Sequence, residues 1–397
     1  MKQPGIEMAQ RRLPGRFAAG GIGALAVLTA GHFVVDAYSS AYAPLLAILR
    51  ERLGLTYAQV GAGAALFAFS ASFMQPLYGF LSDRINSSII IVMAPAVAAI
   101  GMASVPLVGA YPATLACLFV AGIGIAAFHP QGASQAADTL SHRPSLAMAL
   151  FIGGGNIGFS LGPALVTASY AFWGWDGLWR IGIPGIVAAL LLAPTAPTPP
   201  QPTHHGRGSV GTALRKRWKP LLTMYVFVVV RGIVQLIFVT FLPLYLIDSG
   251  MSNIRVGAAL SVFLAIGSIG SLAGGVFADR VGERAIIRLS MAGSLPLFLG
   301  AFMLESLTAR LAVLSAAFFV LLLSNPLTIV LAQSWVPKHR STVSALLMGF
   351  AWGLGGMLAP LFGGVADIYG LGPSLAAVGG LPLLGAMLAW ALPGRAG

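Results

Sequence analysis

Charged residues are scarce in this chain: Asp, Glu, Lys and Arg together make up 9% of its 397 residues. A typical soluble protein carries about 25% charged residues, because its surface has to be hydrated. Hydrophobic residues account for 57%, and the mean hydropathy is +0.86. This composition excludes a soluble multidomain enzyme and a disordered chain, and it predicts that most of the protein lies in lipid.

Cysteine is nearly absent too. The single residue, Cys117, lies in an apolar run, which excludes a disulfide framework and a CxxC metal site. His204 and His205 are adjacent in a loop that offers no other ligand, so we predict no bound metal and no cofactor. The glycine-rich stretch at 153–155 is not a phosphate-binding loop, because no Lys-Ser or Lys-Thr pair follows it.

Long apolar runs dominate the chain instead. Twelve of them are long enough to cross a bilayer with some tilt, and they fall at 17–49, 57–81, 88–108, 112–137, 144–169, 178–194, 220–247, 256–277, 285–304, 310–333, 341–366 and 371–392. The first run is too long for the apolar part of a signal peptide, so we expect a retained helix. The sequence therefore predicts an all-α membrane protein with twelve transmembrane helices, numbered here span 1 to span 12.

Basic residues are placed unevenly between these runs. With the N-terminus in the cytoplasm, most of the 23 Lys and Arg residues fall on the cytoplasmic side, whereas the acidic residues divide evenly. Because such a bias sets orientation, we expect both termini to be cytoplasmic and the protein to lie in the inner (plasma) membrane. Contact with anionic lipid accounts for the pI of about 10.4 without a nucleic-acid partner.

A proline-rich stretch divides the runs into two sets of six. It extends from Pro194 to Pro202 and leads to the basic, Trp-bearing segment 214–219. A proline-dense stretch without apolar residues is typical of an extended linker. We predict a six-helix bundle at 1–194, a cytoplasmic linker at 195–219 and a second six-helix bundle at 220–397.

The two sets carry similar motifs. Asp83-Arg84 after span 2 returns as Asp279-Arg280 after span 8, which is 196 residues later. The glycine and proline pattern at 158–163 in span 5 returns at 355–360 in span 11. The chain is therefore predicted to contain two repeats of the same orientation, an arrangement known from transporters with a substrate site between their halves.

The chain resembles the major facilitator superfamily over nearly its whole length. The resemblance rests on the loop motif 79–84, its copy at 275–280 and the pattern of spans 5 and 11. Two further stretches, Gly31-His32-Phe33-Val34-Val35-Asp36 and Phe128-His129-Pro130-Gln131-Gly132, are similar to the fosmidomycin-resistance branch. The superfamily resemblance implies alternating access driven by an ion gradient, usually of protons. The narrower one implies efflux of a small anionic or amphiphilic toxic compound.

The same resemblance implies a cytoplasmic gate built from the two loop motifs, with Gly79, Asp83, Arg84, Gly275, Asp279 and Arg280. The first copy departs from the family pattern, because the stretch 85–88 lacks the usual glycine and second basic residue. We therefore expect the gate to depend more on the second copy.

Two charged residues remain inside the spans, and the first is Asp36 in span 1. His32 precedes it by four residues and shares its face. An ionisable group in the middle of a bilayer is costly and is a functional candidate by default. Asp36, helped by His32, can load a proton on one side and release it on the other. The alternative is a fixed ion pair or a hydrogen-bonded acid that only holds helices together.

The second is Arg231 in span 7, the repeat counterpart of span 1, with Gln235 on the same face. A guanidinium suits a carboxylate, phosphate or phosphonate. Arg231 is predicted either to bind an anionic substrate or to pair with Asp36 until substrate or proton intervenes, and a static pair is the structural alternative. Weaker candidates for the substrate site are His129, Gln131, Asn156 and Asn325, because polar groups in spans also join helices.

The sequence thus predicts a proton-coupled antiporter that exports a small anionic or amphiphilic compound, with the proton gradient as its energy source. An uptake symporter for an organic acid or similar nutrient is the alternative, because one alternating-access machine runs in either direction. A membrane enzyme is not expected, since the spans contain no cluster of nucleophile, base or metal ligands. The expected partners are a small molecule and the lipid bilayer, and we expect a monomer.

Overall fold

The computed structural model describes residues 21–84, 88–140, 142–195, 214–337 and 340–393. Within these ranges the chain is almost entirely helical and contains no strand, which confirms the predicted all-α fold class. Both chain ends and residues 196–213 of the predicted linker, with His204 and His205, lie outside the described residues. The bundle boundaries at 194 and 220 therefore stay predictions, and "N-terminal half" and "C-terminal half" mean spans 1–6 and 7–12.

All six predicted runs of the N-terminal half are helical. Span 1 is Ile22–Leu53, and span 2 is divided at Met74 into Tyr57–Phe73 and Gln75–Arg84. Span 3 is Ile89–Ser104, extended by the 3-10 turn Val105–Leu107, and span 4 is Tyr111–Thr139. Span 5 is Pro144–Gly177, and the 3-10 turn Leu178–Gly182 leads into span 6, Ile183–Thr195.

The C-terminal half is more interrupted. Spans 7, 8 and 9 are Trp218–Asp248, Asn253–Val281 and Glu283–Ala301, and span 10 consists of Leu307–Leu322 and Asn325–Trp335. Span 11 consists of Arg340–Ala345, the π-helical Leu346–Phe350, Ala351–Met357 and Ala359–Tyr369. Span 12 consists of Leu371–Val378 and Pro382–Ala391. Three of these pieces begin with proline at their first or second position, where its missing N–H has no helical partner to lose.

Nine of the described helical stretches are long and apolar enough to cross a membrane. One of them, Leu146–Thr195, contains the predicted spans 5 and 6, whereas spans 9 and 11 are not among the nine. Span 9 carries Glu283, Arg284 and Arg288 within 19 residues, and no piece of span 11 exceeds 11 residues. Length and hydropathy alone therefore do not reproduce the predicted count of twelve, although helix covers most of the described part of every predicted run.

Glycines of span 5 allow it to lie directly against span 1. A Cβ atom at Gly158 would lie 2.0 Å from the carbonyl oxygen of Phe33, and one at Gly162 would lie 2.1 Å from that of Ala37. Only glycine permits such an approach of two backbones. These glycines therefore form a packing surface, and the surface they pack on includes the helical turn of Asp36.

The two halves contact each other through spans 2 and 11 and through spans 5 and 8. A Cβ atom at Gly61 would lie 2.3 Å from the carbonyl oxygen of Ala359 in span 11. The backbone N–H of Ala164 in span 5 donates to Oγ of Ser261 in span 8 at 3.0 Å. Spans 1 and 7 also contact each other, where the hydroxyl of Tyr42 lies 2.9 Å from Oγ1 of Thr240.

The halves are also joined at the end where span 1 leads into span 2, which is predicted to face outside. Nη1 of Arg50 lies 3.3 Å from Oδ1 of Asp248, and the hydroxyl of Tyr57 donates to the same carboxylate. The carboxylate of Asp367 accepts the backbone N–H groups of Tyr57 and Ala58 at 2.8 and 3.0 Å. The C-terminal half therefore caps the first turn of span 2, and this end is closed.

Candidate functional site

Asp36 lies between two histidines, one from its own helix and one from span 4. Its Oδ2 is 3.2 Å from Nε2 of His32, and its Oδ1 is 3.0 Å from Nε2 of His129. The Asp36 side chain is 17% exposed, and those of His32 and His129 are 8% and 26% exposed. We call His32, Asp36 and His129 the histidine–aspartate cluster. It joins two spans of the N-terminal half.

The backbone fixes which ring nitrogen faces the carboxylate. Nδ1 of His32 lies 2.8 Å from the carbonyl oxygen of Phe151 in span 5, and Nδ1 of His129 lies 2.8 Å from that of Ile125, one turn earlier. A carbonyl oxygen only accepts, so each Nδ1 carries a hydrogen and donates it. Nε2 of both rings is therefore the atom whose protonation can change.

This geometry determines where the cluster can hold protons. A neutral imidazole has one N–H, so with Nδ1 protonated its Nε2 is a lone pair. Facing a carboxylate oxygen, that lone pair would repel rather than bond. The contact of His129 with Asp36 at 3.0 Å has hydrogen-bond geometry, so it requires a proton on the imidazole or on Asp36. Nε2 of His32 approaches the same carboxylate at 3.2 Å, which is an ion-pair distance.

Span 5 supplies the space for this cluster. A Cβ atom at Gly155 would lie 2.5 Å from Cε1 of His32 and 2.6 Å from Oδ2 of Asp36. The ring of Phe151 stacks on His32, with centroids 4.1 Å apart and planes 18° apart. The imidazole is thus held in place by one aromatic ring and one backbone acceptor of span 5.

The ligand atoms of the cluster lie within 4.8 Å of one another, a spacing that a metal site can have. A metal ion would need Nε2 and the carboxylate oxygens to bond the ion, with each of these nitrogens deprotonated. The observed nitrogen–oxygen separations of 3.0 and 3.2 Å have the length of direct hydrogen bonds, and adjacent ligands of one ion have similar separations. The spacing alone is therefore compatible with shared protons and with an ion.

Arg231 is buried inside the C-terminal half, with 2% of its surface exposed. Its Nη1 donates to Oγ of Ser324 at 3.1 Å and to Oγ1 of Thr328 at 3.4 Å, both in span 10. No carboxylate of a described residue lies within 4.0 Å of it, so a pair with Asp36 does not form in this structure. Nε of Arg231 has no hydrogen-bond partner in the described part of the chain.

Gln235, one turn further along span 7, also has a side-chain atom without a hydrogen-bond partner among the described residues. It is 5% exposed, and its Oε1 accepts no hydrogen bond from the described residues. Nδ2 of Asn325 is 3.5 Å from Oγ of Ser271 in span 8, and Asn156 follows directly after Gly155 in span 5. Arg231 and Gln235 thus offer an unused donor and an unused acceptor on one helix face.

Two of the weaker candidates have different surroundings from those expected of substrate ligands. His129 bonds Asp36 rather than facing Arg231. Gln131 is 3% exposed, and its Oε1 accepts the backbone N–H of Ile91 in the first turn of span 3 at 2.9 Å. The contact of Gln131 with Ile91 thus caps the start of span 3 and joins it to span 4.

The predicted gate is only partly covered by the described residues. Asp279 and Arg280 are exposed at the end of span 8, and neither forms an ion pair with another described residue. Gly79 lies beside Pro130 of span 4, with 3.8 Å between an added Cβ and the ring, whereas Gly275 faces open space. The side chains of Asp83 and Arg84 lie outside the described residues, so their gating role stays a prediction.

Ser324 and Thr328 are site residues that the sequence reasoning missed. The repeat contained the signal, because Ser324 follows Arg231 by 93 residues, the same separation as that between Asp36 and His129. Each half therefore bonds its charged residue to the equivalent point of its fourth helix.

This fold, with a buried charge between the first and fourth helices of each half, is that of a multi-pass membrane transporter. The family model described as Major Facilitator Superfamily matches residues 28–360. The chain belongs to the Major Facilitator Superfamily, as its motifs predicted.

Two curated relatives are similar along nearly their whole length. An uncharacterized MFS-type transporter of Bacillus subtilis, YfnC, is 28% identical over 91% of this chain and 90% of its own. The fosmidomycin resistance protein of Escherichia coli is 27% identical over 94% and 93%. A probable sulfoacetate transporter of Cupriavidus necator, SauU, is 23% identical over 79% and 80%.

Solved structures share the fold at lower identity. A bacterial homologue of the human lysosomal transporter Spinster, in an inward-facing and unoccupied conformation, superimposes with a TM-score of 0.80 at 16% identity, over 93% of this chain and 96% of that one. The nucleoside transporter NupG gives a TM-score of 0.69 at 16% identity, over 94% and 98%.

Proposed function

We propose that this protein is a proton-driven exporter of a small organic anion or anionic amphiphile, and that it works by alternating access in the inner membrane with cytoplasmic termini. The histidine–aspartate cluster carries the coupled protons, and Arg231 with Gln235 binds the substrate. The observation that carries the proposal is the position of Nε2 of His32 and of His129 at 3.2 and 3.0 Å from the carboxylate of Asp36.

The change of charge on proton loss provides the coupling. With two imidazolium rings around one carboxylate the cluster carries a net charge of +1, and after losing two protons it carries −1. The deprotonated cluster exposes lone pairs on Nε2 and on the carboxylate, all of which accept hydrogen bonds. A substrate with hydroxyl or N–H donors satisfies those lone pairs, so substrate and protons replace each other. This exchange is antiport.

Arg231 supports an anionic substrate. A buried charge without a counter-charge costs several kcal/mol, and no described carboxylate lies within 4.0 Å of this guanidinium. Its free Nε edge suits one oxygen of a carboxylate or phosphonate. The free Oε1 of Gln235 suits a donor group on the same molecule. The guanidinium fits the anions named in two relatives, fosmidomycin and sulfoacetate, whereas the amide oxygen fits only an anion that carries a donor.

The closed outer end supports alternating access. The ion pair of Arg50 with Asp248 and the cap of Asp367 on span 2 hold the halves together on that side. These contacts have to break before the cluster meets outside water. In the proposed cycle, this conformation is the one in which exchange occurs with the cytoplasm.

A thermal-shift titration of the purified protein tests the substrate class. Fosmidomycin and sulfoacetate are added to the wild type and to Arg231→Ala, with the exposed Arg255→Ala as a matched control. We expect an anion-dependent rise in melting temperature for wild type and Arg255→Ala but not for Arg231→Ala. Equal shifts in all three proteins would remove Arg231 from the substrate site.

Uptake by symport is the second candidate, and the charge of the cluster favours it for one kind of substrate. An anion without hydrogen-bond donors is attracted by the protonated cluster and repelled by the deprotonated one, so it binds together with protons. The relative named a probable sulfoacetate transporter fits this case. Dissipating the proton gradient in cells separates the two, because an exporter's substrate then accumulates inside and a symporter's substrate does not.

A further inference from the structure

An apolar groove of about 390 Å³ lies between the start of span 7 and the π-helical segment of span 11. The two helices touch further along, where a Cβ atom at Gly355 would lie 3.1 Å from the backbone of Gly232. Towards the linker they leave a wedge whose walls are Trp218, Leu222, Tyr225, Val343, Leu346 and Leu347.

The mouth of this groove is basic. Arg215 lines it, and Lys216, Arg217 and Lys219 are exposed beside it. None of the four has a carboxylate of a described residue within 4.0 Å. The ammonium of Lys219 lies 5.9 Å from the ring centre of Trp218, which is about half exposed. Tryptophan with neighbouring cations is typical of a helix end at the lipid headgroup level.

We propose that the groove binds one anionic phospholipid, with an acyl chain along the wedge and the phosphate at Arg215 and Lys219. The apolar walls match a hydrocarbon chain, and the unpaired cations match an anionic headgroup. A free phosphate would leave the apolar walls uncovered, and a zwitterionic lipid would leave the cations without a net counter-charge. Lipid binding itself does not depend on the proposed orientation of the protein in the membrane. The orientation decides only which leaflet supplies the lipid.

Such a lipid has a mechanical consequence. Spans 7 and 11 form the two walls, and span 11 also packs on span 2 of the other half through Ala359. A chain lodged in the wedge holds these two helices apart at the linker end. The occupied groove therefore stabilises the conformation described here, in which the opposite end is closed.

Fluorescence quenching by brominated lipids tests this proposal on the full chain in detergent micelles. The emission of Trp218 is obtained as the difference between wild type and Trp218→Phe. We expect brominated phosphatidylglycerol to quench this emission at a mole fraction about fivefold or more below the one that brominated phosphatidylcholine requires. This factor corresponds to the attraction of at least one cation for an anionic lipid, about 1 kcal/mol. Neither substrate nor transport is needed, so this result is independent of the proposed export.

Charge and groove are then tested separately. Arg215→Gln with Lys219→Gln should remove the preference for phosphatidylglycerol, whereas Arg143→Gln with Arg284→Gln, two exposed cations elsewhere at this end, should retain it. Leu222→Gln should weaken the binding of both lipids and leave the ratio of their quenching mole fractions unchanged. The proposal is overturned if both lipids quench the wild type equally, which indicates an unselective hydrocarbon surface. It is also overturned if the two double variants lose the preference equally, which indicates a diffuse surface potential.

Discussion

Nε2 of His129 lies 3.0 Å from Oδ1 of Asp36, and this contact joins the fourth span to the first. In the other half, Nη1 of Arg231 lies 3.1 Å from Oγ of Ser324, and both pairs are separated by 93 residues. The repeat therefore gives one half an acid with titratable partners and the other half a fixed cation with hydroxyl partners. In the proposed mechanism the N-terminal half changes its charge, and the C-terminal half keeps its fixed cation.

Removing His129 should uncouple transport from protons. A hydrogen bond to a charged group contributes about 1.5–3 kcal/mol, which is tenfold or more in the population of the proton-loaded cluster. We expect His129→Gln to reduce proton-gradient-driven transport in proteoliposomes by about that factor while retaining insertion. His142→Gln, an exposed histidine at the end of span 4, is the matched control and should transport like the wild type. Equal activity of His129→Gln and wild type would assign His129 a packing role.

Gly155 should tolerate no side chain. An added methyl group would lie 2.5 Å from His32 and 2.6 Å from Asp36, so the cluster has to shift. Overpacking of this kind costs about 1–3 kcal/mol, and we expect Gly155→Ala to lower the melting temperature and the proton-driven rate together. Gly153→Ala is the control, because nothing lies within 4 Å of its Cβ position. A Gly155→Ala protein with wild-type rate and stability would contradict the packing described here.

Neutralising Asp367 should open the outer end. Its carboxylate accepts two backbone N–H groups of span 2 across the halves, and loss of a helix cap costs about 0.5–2 kcal/mol, or two- to thirtyfold in population. Thr240→Cys in a Cys117→Ser background provides the probe, because Thr240 is buried and bonds Tyr42 of the other half. Asp367→Ala should accelerate thiol labelling from outside by that factor. Asp176→Ala, which removes an exposed carboxylate, should not change it.

Substrate affinity should depend on the shape of the guanidinium and not only on its charge. Lysine keeps the charge at position 231 but lacks the planar fork that bonds an oxyanion through two N–H groups. We expect Arg231→Lys to weaken binding of the transported anion about tenfold or more, measured by calorimetry. Arg255→Lys should bind like the wild type. If Arg231→Lys binds equally well, the anion does not contact the fork.

Local spacing made much of the fold predictable from the sequence. The apolar runs gave the positions of the helices, because a backbone in lipid has to satisfy its own hydrogen bonds. The repeated glycine and proline pattern of spans 5 and 11 indicated two similar halves, and the four-residue spacing of His32 and Asp36 placed both on one side of span 1. These are properties of single helices.

Contacts between helices were not accessible in the same way. His129 was grouped with the substrate ligands, because nothing in its own helix shows that it faces Asp36, 93 residues earlier. Ser324 and Thr328 are ordinary residues of an apolar helix until Arg231 lies beside them. The hydropathy pattern also did not predict the breaks in span 11. Hydropathy is averaged over a window and does not distinguish the π-helical segment Leu346–Phe350 from an α-helix.

The central claim is that the histidine–aspartate cluster carries the coupled protons. The most direct test loads proteoliposomes with fosmidomycin and a pH-sensitive dye, dilutes them into substrate-free buffer and records the internal pH. For an antiporter we predict acidification of the interior as substrate leaves, absent in Asp36→Asn and retained in Asp176→Asn. An Asp36→Asn protein that still exchanges protons for substrate at the wild-type ratio would contradict this account.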